Sequence, residues 1–411
     1  MSITVEPRLA KLFIVEENED VVPFIIRIRG IKAARTRSVY LVAVDNSWSM
    51  DGAKIFYAKQ AVLQMLKHLN PEDYINVYKF NRNVTRVIFM ENINNAERIA
   101  EAVTDIKLGG GTDIYRVLEH MLNDCVRIPV ELKRHEKVQQ LESFKMILIT
   151  DGNPTVGVKD ESRIVNMAER LGKHISLSLV IGVGDDYNEK LLMEVAAKTN
   201  GFFEHLSDPT NMPQIVERMV SRYKELSAGN TKLFVRTAPG IGIYVYNRPT
   251  FNIAGGVEID VGDVYGGDVI DVIGEFIVPP QKRGKVYLAS ISASYVTSEG
   301  KSSMTETVSL SIPCLHSISP DLLEVDETTY KAVNAMRMAS ALAKDLYGDL
   351  SAEKLEKAVE ELLNTTISID RRDLYARTID LKSQLEREGL SPEVVKKLVA
   401  LISKILSGRY G

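Results

Sequence analysis

The sequence predicts an α/β fold in which a doubly wound, mainly parallel sheet is inserted in a β-sandwich and followed by a C-terminal helical bundle. Three observations carry this expectation. Short apolar runs alternate with amphipathic stretches over residues 38–227, β-type runs bounded by glycine and proline lie on both sides of that region, and the pattern turns helical from about Asp326. At 411 residues with 45% hydrophobic content, the chain can bury a large core and form two or three domains.

Residues 1–37 contain LAKLFIVEE and VVPFIIRIRG, where apolar and charged residues alternate as in strands. Two strands alone are marginal, so these are expected to complete a sandwich whose other strands lie in residues 228–320. Within residues 38–227, SVYLVAVD, DYINVYKF, FKMILIT and ISLSLVIGVG read as buried strands. Such continuous apolar runs suit a parallel sheet covered by helices on both faces. AKIFYAKQAVLQMLKHL, NAERIAEAVTDI, DIYRVLEHMLNDCV, ESRIVNMAERLGK and EKLLMEVAAKT have helical spacing. GFFEHL adds a short last strand and PTNMPQIVERMVSRYKEL a closing helix, while the charged ELKRHEKVQQLE reads as a surface extension.

Residues 228–320 return to β texture, with TKLFVRTAPG, GIYVYN, FNIAGG, DVIDVIGEFIVP, KVYLASISASYV and TETVSLSIP separated by Gly and Pro turns. Residues 321–411 read as helices, with Ser351 as one N-cap and Ser391 ahead of Pro392 as another helix start.

Bulk chemistry narrows the function classes. The formal net charge is −4 with 26% charged residues, so there is no basic excess to seek nucleic acid or a membrane surface. Cys125 and Cys314 are the only cysteines, which excludes a disulfide framework and fits a reducing interior. MSITVEPRLAKLF lacks an apolar run with a cleavage site, and no stretch of about 20 apolar residues occurs. A soluble cytoplasmic protein is expected. The six histidines are scattered without ligand spacing.

In an open α/β sheet, ligands sit outside the carboxyl ends of the strands. Three such ends are rich in oxygen here: DNSWS (Asp45 to Ser49), the glycine loop GGGTD (Gly109 to Asp113), and ILITDGNPT, where Asp151 follows a strand. Two carboxylates and three hydroxyls, without His or Cys, suit a hard cation such as Mg²⁺. Plainer readings stand beside this one. DNSWS could be an Asx-type turn, and Asp113 and Tyr115 could simply begin a helix. A phosphate loop is disfavoured, since GGGT lacks the Gly-Lys-Ser/Thr ending.

VAVDNSWSM, LGGGTDIY and LITDG, in this order, resemble the metal-ion-dependent adhesion site of von Willebrand factor type A (VWA) domains, which are Rossmann-like. The family pattern Asp-x-Ser-x-Ser, then a loop Thr, then an Asp, falls on Asp45, Ser47, Ser49, Thr112 and Asp151. The resemblance covers about residues 38–226. It implies that Ser47, Ser49 and Thr112 bind Mg²⁺ (or Mn²⁺ or Ca²⁺) directly, that Asp45 and Asp151 act directly or through water, and that a partner's carboxylate completes the shell. Many family members have Gly between the two serines, where this chain has Trp48, its only tryptophan. Trp48 reads either as a core residue or as an exposed partner contact over the metal.

The domain order is similar to that of COPII coat subunits, inter-alpha-trypsin inhibitor heavy chains and cytoplasmic archaeal type A proteins, including archaellum-regulating ones paired with a forkhead-associated (FHA) partner. These relatives imply a binding scaffold. Thr365, Thr366 and Thr378 in the tail read as solvated helix surface or, more sharply, as sites for a Ser/Thr kinase whose phosphates an FHA-type domain would dock. The alternative function, a metal-dependent hydrolase or phosphotransferase, needs a general base or an activated nucleophile. Neither a Ser-His-Asp order nor a lysine neighbour of the site is evident from sequence.

Overall fold

The structure, a computed structural model, describes residues 2–31, 34–35, 37–135, 143–184, 186–222, 225–297, 301–316, 326–345, 356–357, 359–360, 362–363, 372–389 and 391–410. It divides into two compact units, one built on residues 34–226 and one on residues 1–33, 227–297 and 301–411.

The first unit is a six-stranded sheet. Across it the strands run Phe202–Leu206, Ile175–Val183, Ser143–Thr150, Ser38–Asp45, Tyr74–Phe80 and Val84–Asn92. All pairings are parallel except the last. Every residue of the three strands Ser38–Asp45, Ser143–Thr150 and Ile175–Val183 is buried, which is why they read as unbroken apolar runs. From the central strand Ser38–Asp45 the chain moves outward through Tyr74–Phe80 and Val84–Asn92, then returns to the other side at Ser143–Thr150. The topological switch point therefore falls between the ends of Ser38–Asp45 and Ser143–Thr150, where a crevice must open.

Two features of this unit differ from expectation. Val84–Asn92 is an antiparallel edge strand, reached by a tight turn at 81–83 in which the Asn83 amide donates to the Asn81 side-chain oxygen (2.9 Å). The Asn-Arg-Asn turn between two β-rich runs was the available signal. The helix that begins at Ile114 continues to His135, so Glu131–His135 of the expected surface extension is helical.

The second unit is a sandwich. One sheet takes Ile3–Leu9, Asp20–Gly30, Val269–Val278 and Gly242–Val245. The other runs through Thr250–Ile253, Gly256–Tyr265, Glu225–Thr237, Gly284–Val296, Val308–Leu315 and Ile14–Val15. Phe24, Ile26, Val272 and Phe276 from the first meet Leu233, Ile259, Ile291 and Ile312 from the second in one apolar core. The N-terminal strands are thus buried against partners far away in sequence.

In the tail, helices Glu327–Asp345, Arg372–Glu388 and Pro392–Ser407 are described. Ser391 caps the last one by accepting from the Val394 amide, Pro392 opens it and Gly408 ends it in the left-handed region. Ser351 lies outside the described residues. After Gly408 the chain adds Arg409–Tyr410 as a short strand against Val269 and Ile270, a return that helical periodicity could not announce. Among the described residues, no helix is long and apolar enough to cross a membrane.

Candidate metal centre

Asp45 is the last residue of the central strand, and the chain then turns through Trp48–Met50 in a single 3₁₀ turn. The Asp45 carboxylate accepts from the Ser47 amide at 2.8 Å and from the Thr150 hydroxyl at 2.6 Å. The first of these bonds is the Asx-type turn foreseen as the plainer reading, so turn and site share one residue. The Ser47 hydroxyl does not cap the turn. It lies 3.0 Å from the Ser49 hydroxyl, which donates to Asp151 Oδ1 at 2.8 Å.

The glycine loop is tied to this turn. Gly109 bridges Ser47, and its amide donates to the Asn46 carbonyl at 2.7 Å. A Cβ on Gly109 would lie 2.2 Å from the Asn81 side-chain nitrogen, so a larger residue there would have to push that amide aside. Thr112 is held from the third loop: its amide donates to Thr155 Oγ1 (2.9 Å) and its carbonyl accepts from the Thr155 amide (3.0 Å). A Cβ on Gly152 would stand 3.3 Å from Thr112 Oγ1 and 4.0 Å from Ser49 Oγ, which places both hydroxyls beside the turn that follows Asp151. Among the described residues, the Thr112 hydroxyl makes no hydrogen bond. Asp113 begins the helix as its plainer reading expects, with its carboxylate accepting from the Arg116 amide (3.0 Å).

The structure therefore brings Asp45, Ser47, Ser49, Thr112 and Asp151 together at the switch point. Asp45 and Asp151 are fully buried. Burial pushes the Asp45 carboxyl up to about 6, against the hydrogen bonds from Thr150 and Ser47, and the charge of Asp151 adds to the rise. Two dry carboxylates beside small hydroxyls, one of them without a partner, fit a hard divalent cation by donor chemistry and by charge. Among the described residues no cluster of three or more His, Cys, Asp or Glu could hold a metal, so a cation at this point would rely on the hydroxyls as well as the two acids.

Trp48 is 67% exposed, with its indole Nε1 3.6 Å from where a Cβ on Gly110 would lie. The buried reading of Trp48 is thereby set aside. One residue beside the site escapes the sequence reading, which finds no lysine there. Lys54 Nζ donates to Asp151 Oδ2 at 2.5 Å. Gly52, at φ 76, turns the chain into the helix Ala53–Leu66, and Lys54 in its first turn reaches Asp151 at the end of the neighbouring strand Ser143–Thr150. A glycine between the second serine and a basic residue was the available signal.

The tail residues separate. Thr365 and Thr366 lie outside the described residues. Thr378 is fully buried, and its hydroxyl donates to the Leu374 carbonyl at 2.7 Å, so a kinase could reach it only if the helix Arg372–Glu388 opened. Its expected place on a solvated surface is corrected: it faces the packed side of that helix.

Residues 41–218 match the family model of the von Willebrand factor type A domain. A von Willebrand factor type A structure from Catenulispora acidiphila is similar over 92% of this chain and 89% of that one, with TM-score 0.76 and 15% identity. The ArnB paralog VWA2 from Sulfolobus acidocaldarius is similar over 98% of both chains, with TM-score 0.69 and 21% identity. At these identities the likeness is one of fold. Inter-alpha-trypsin inhibitor heavy chain 4 of Mus musculus is 29% identical over 182 residues, which are 42% of this chain and 18% of that protein. The chain thus spans less than a fifth of that relative's length.

Proposed function

Because the chain carries a von Willebrand factor type A domain over residues 41–218, we propose that it is a non-enzymatic protein–protein interaction scaffold whose site takes a divalent cation that a partner's carboxylate completes. The observation that supports this most is the convergence of three loops on one point, with Ser47, Ser49 and Asp151 linked at 3.0 and 2.8 Å and the Thr112 hydroxyl beside them. Mg²⁺ is the expected ion, with Mn²⁺ or Ca²⁺ able to replace it, because all of the donors are oxygen. Ser47, Ser49 and Thr112 would hold the cation, and Asp45 and Asp151 would balance its charge. The exposed indole of Trp48 is the contact offered to the partner, as aromatic anchors at an interface rim are.

The same reading extends to the tail and the cell. Phosphate added at Thr365 or Thr366 by a Ser/Thr kinase would be docked by an FHA-type partner, giving a cytoplasmic regulator similar to the archaellum-regulating type A proteins. Support comes from the domain order and from the fold shared with the Sulfolobus ArnB paralog over nearly the whole chain. Cys125 and Cys314 are free and buried, in keeping with a reducing compartment.

The test is thermal unfolding with Mn²⁺ or Mg²⁺ against EDTA. The wild type should gain several degrees with metal, and the double variant Asp45→Ala, Ser47→Ala should gain none. An equal gain in both would remove the metal from this site. Phosphate-ester turnover lost in the same variant would instead support a metal-dependent hydrolase or phosphotransferase. For the tail, kinase treatment should create FHA binding that Thr365→Val, Thr366→Val abolishes.

A further inference from the structure

Lys54 is the one full positive charge that hydrogen-bonds a carboxylate of the candidate centre among the described residues, and its placement is specific. It is the second residue of the helix Ala53–Leu66. Its side chain, 27% exposed, reaches down to the fully buried Asp151. Asp151 is held at both oxygens, by the Ser49 hydroxyl on Oδ1 (2.8 Å) and by Lys54 Nζ on Oδ2 (2.5 Å). The path of the lysine is shaped by a second strand end. A Cβ on Gly184, which follows the strand Ile175–Val183 at φ 77, would stand 3.1 Å from Lys54 Cε and 3.2 Å from Nζ. The glycine leaves a slot through which the lysine passes to its acid.

Charge counting gives this contact a consequence. A buried carboxylate without a counter-ion is costly, and Lys54 supplies one to Asp151 when the site holds no metal. When a divalent cation enters, the two acids neutralise it, and Lys54 leaves the loaded centre with one net positive charge. That excess repels the metal on its own and is cancelled when one carboxylate arrives from outside. Without Lys54 the loaded centre would already be neutral and would gain less from a partner's acid.

We infer that Lys54 is a tethered counter-ion that weakens the binding of the metal alone and couples it to the binding of the partner's carboxylate. This rests on the metal-site reading proposed above. Lys54 acts through Asp151 and is a positioning residue, not a ligand.

The experiment compares Mn²⁺ affinity and thermal unfolding in the full chain for wild type, Lys54→Met, Lys54→Gln and Lys54→Arg. Lys54→Met should bind Mn²⁺ about tenfold or more tightly than wild type, as removal of a unit charge from a partly dry site requires. Its metal-free Tm should fall, and its Tm gain with Mn²⁺ should grow. Lys54→Gln keeps a hydrogen-bond donor for Asp151 without the charge, so it should show the same tightening even if the methionine variant does not fold. Lys54→Arg should bind as the wild type does. If wild type binds Mn²⁺ and the neutral variants bind it equally or more weakly, the counter-ion role is overturned while the metal site stands. If neither wild type nor the neutral variants bind Mn²⁺, the metal site falls and the coupling with it.

Discussion

Asp124 and Asp151 are both fully buried acids of the same α/β unit, yet their surroundings differ in kind. Asp124, on the helix Ile114–His135, accepts from the Tyr78 hydroxyl at 2.5 Å and from the Arg86 guanidinium at 2.6 Å. Both donors are bulky and fixed on strands, and burial together with the neighbouring Asp124 keeps Tyr78 well above its ordinary range, hence protonated. Asp151 instead meets a serine hydroxyl and the ammonium of Lys54, with Ser47, Thr112 and Asp45 nearby. An acid saturated by large, rigid donors ties elements together. An acid ringed by small hydroxyls and a single lysine ammonium on a flexible stem leaves room for another cation beside it. What separates these two buried acids is the size and chemistry of their donors, not their depth.

The largest effect that sharpens this contrast is expected at the structural acid. Asp124→Ala strands the Arg86 charge and the Tyr78 hydroxyl, and should destabilise the protein by ~3–5 kcal/mol in denaturant unfolding. Its Tm gain with Mn²⁺ should survive, because the strand ends at the switch point are untouched. Loss of both stability and metal response would erase the distinction.

A smaller effect is expected at Asp45, with a defined pH dependence. Its carboxyl is pushed up to about 6 in the folded protein from an ordinary value of 3.8. Between these values the folded state holds a proton that the unfolded state releases, so Asp45 costs stability as pH rises from about 4 to about 6 and levels off above. The cost is ~3 kcal/mol in the metal-free protein by the usual conversion of such a shift. Asp45→Asn should therefore be more stable relative to wild type at pH 7.5 than at pH 4 when both are kept in EDTA. Saturating Mn²⁺ at pH 7.5 should close or reverse that difference. A difference that is flat with pH would mean the carboxyl is not held out of water.

The smallest effect on stability belongs to Trp48. At 67% exposure, Trp48→Ala should change unfolding free energy by no more than ~0.5 kcal/mol and leave Mn²⁺ affinity as it is. Under the proposed reading of Trp48 as a partner contact, partner capture should fall about tenfold or more, as on truncation of an interface aromatic. An unchanged capture would move the partner contact elsewhere.

Much of the candidate centre is legible in sequence because its parts are local. Each of the three motifs is a strand followed by its own loop, and a strand end that reads VAVD or LIT before an acid is visible in a dozen residues. The alternation of Asp45, Ser47 and Ser49, the glycines that let Gly109 pack on Asn81, and the Ser391-Pro392 helix start are of the same local kind. So is the switch from alternating strands and helices to sandwich texture. Periodicity and turn chemistry determine these features within one element, and the order of the elements does the rest.

What only the tertiary structure decides are the pairings between residues far apart in the chain. The Lys54–Asp151 contact spans 97 positions, and no periodicity of the helix Ala53–Leu66 marks which lysine will meet an acid across the sheet. The same holds for the Asp124 cluster, for the return of Arg409–Tyr410 to the strand Val269–Val278, and for the burial of Thr378, whose hydroxyl looks like any other on a charged helix until the facing surface is known. Local sequence sets backbone conformation through sterics and short-range hydrogen bonds, whereas the environment of a charge is set by whatever the fold packs against it. The five oxygen-bearing residues of the candidate site could be read from the chain; the Lys54 ammonium beside them could not.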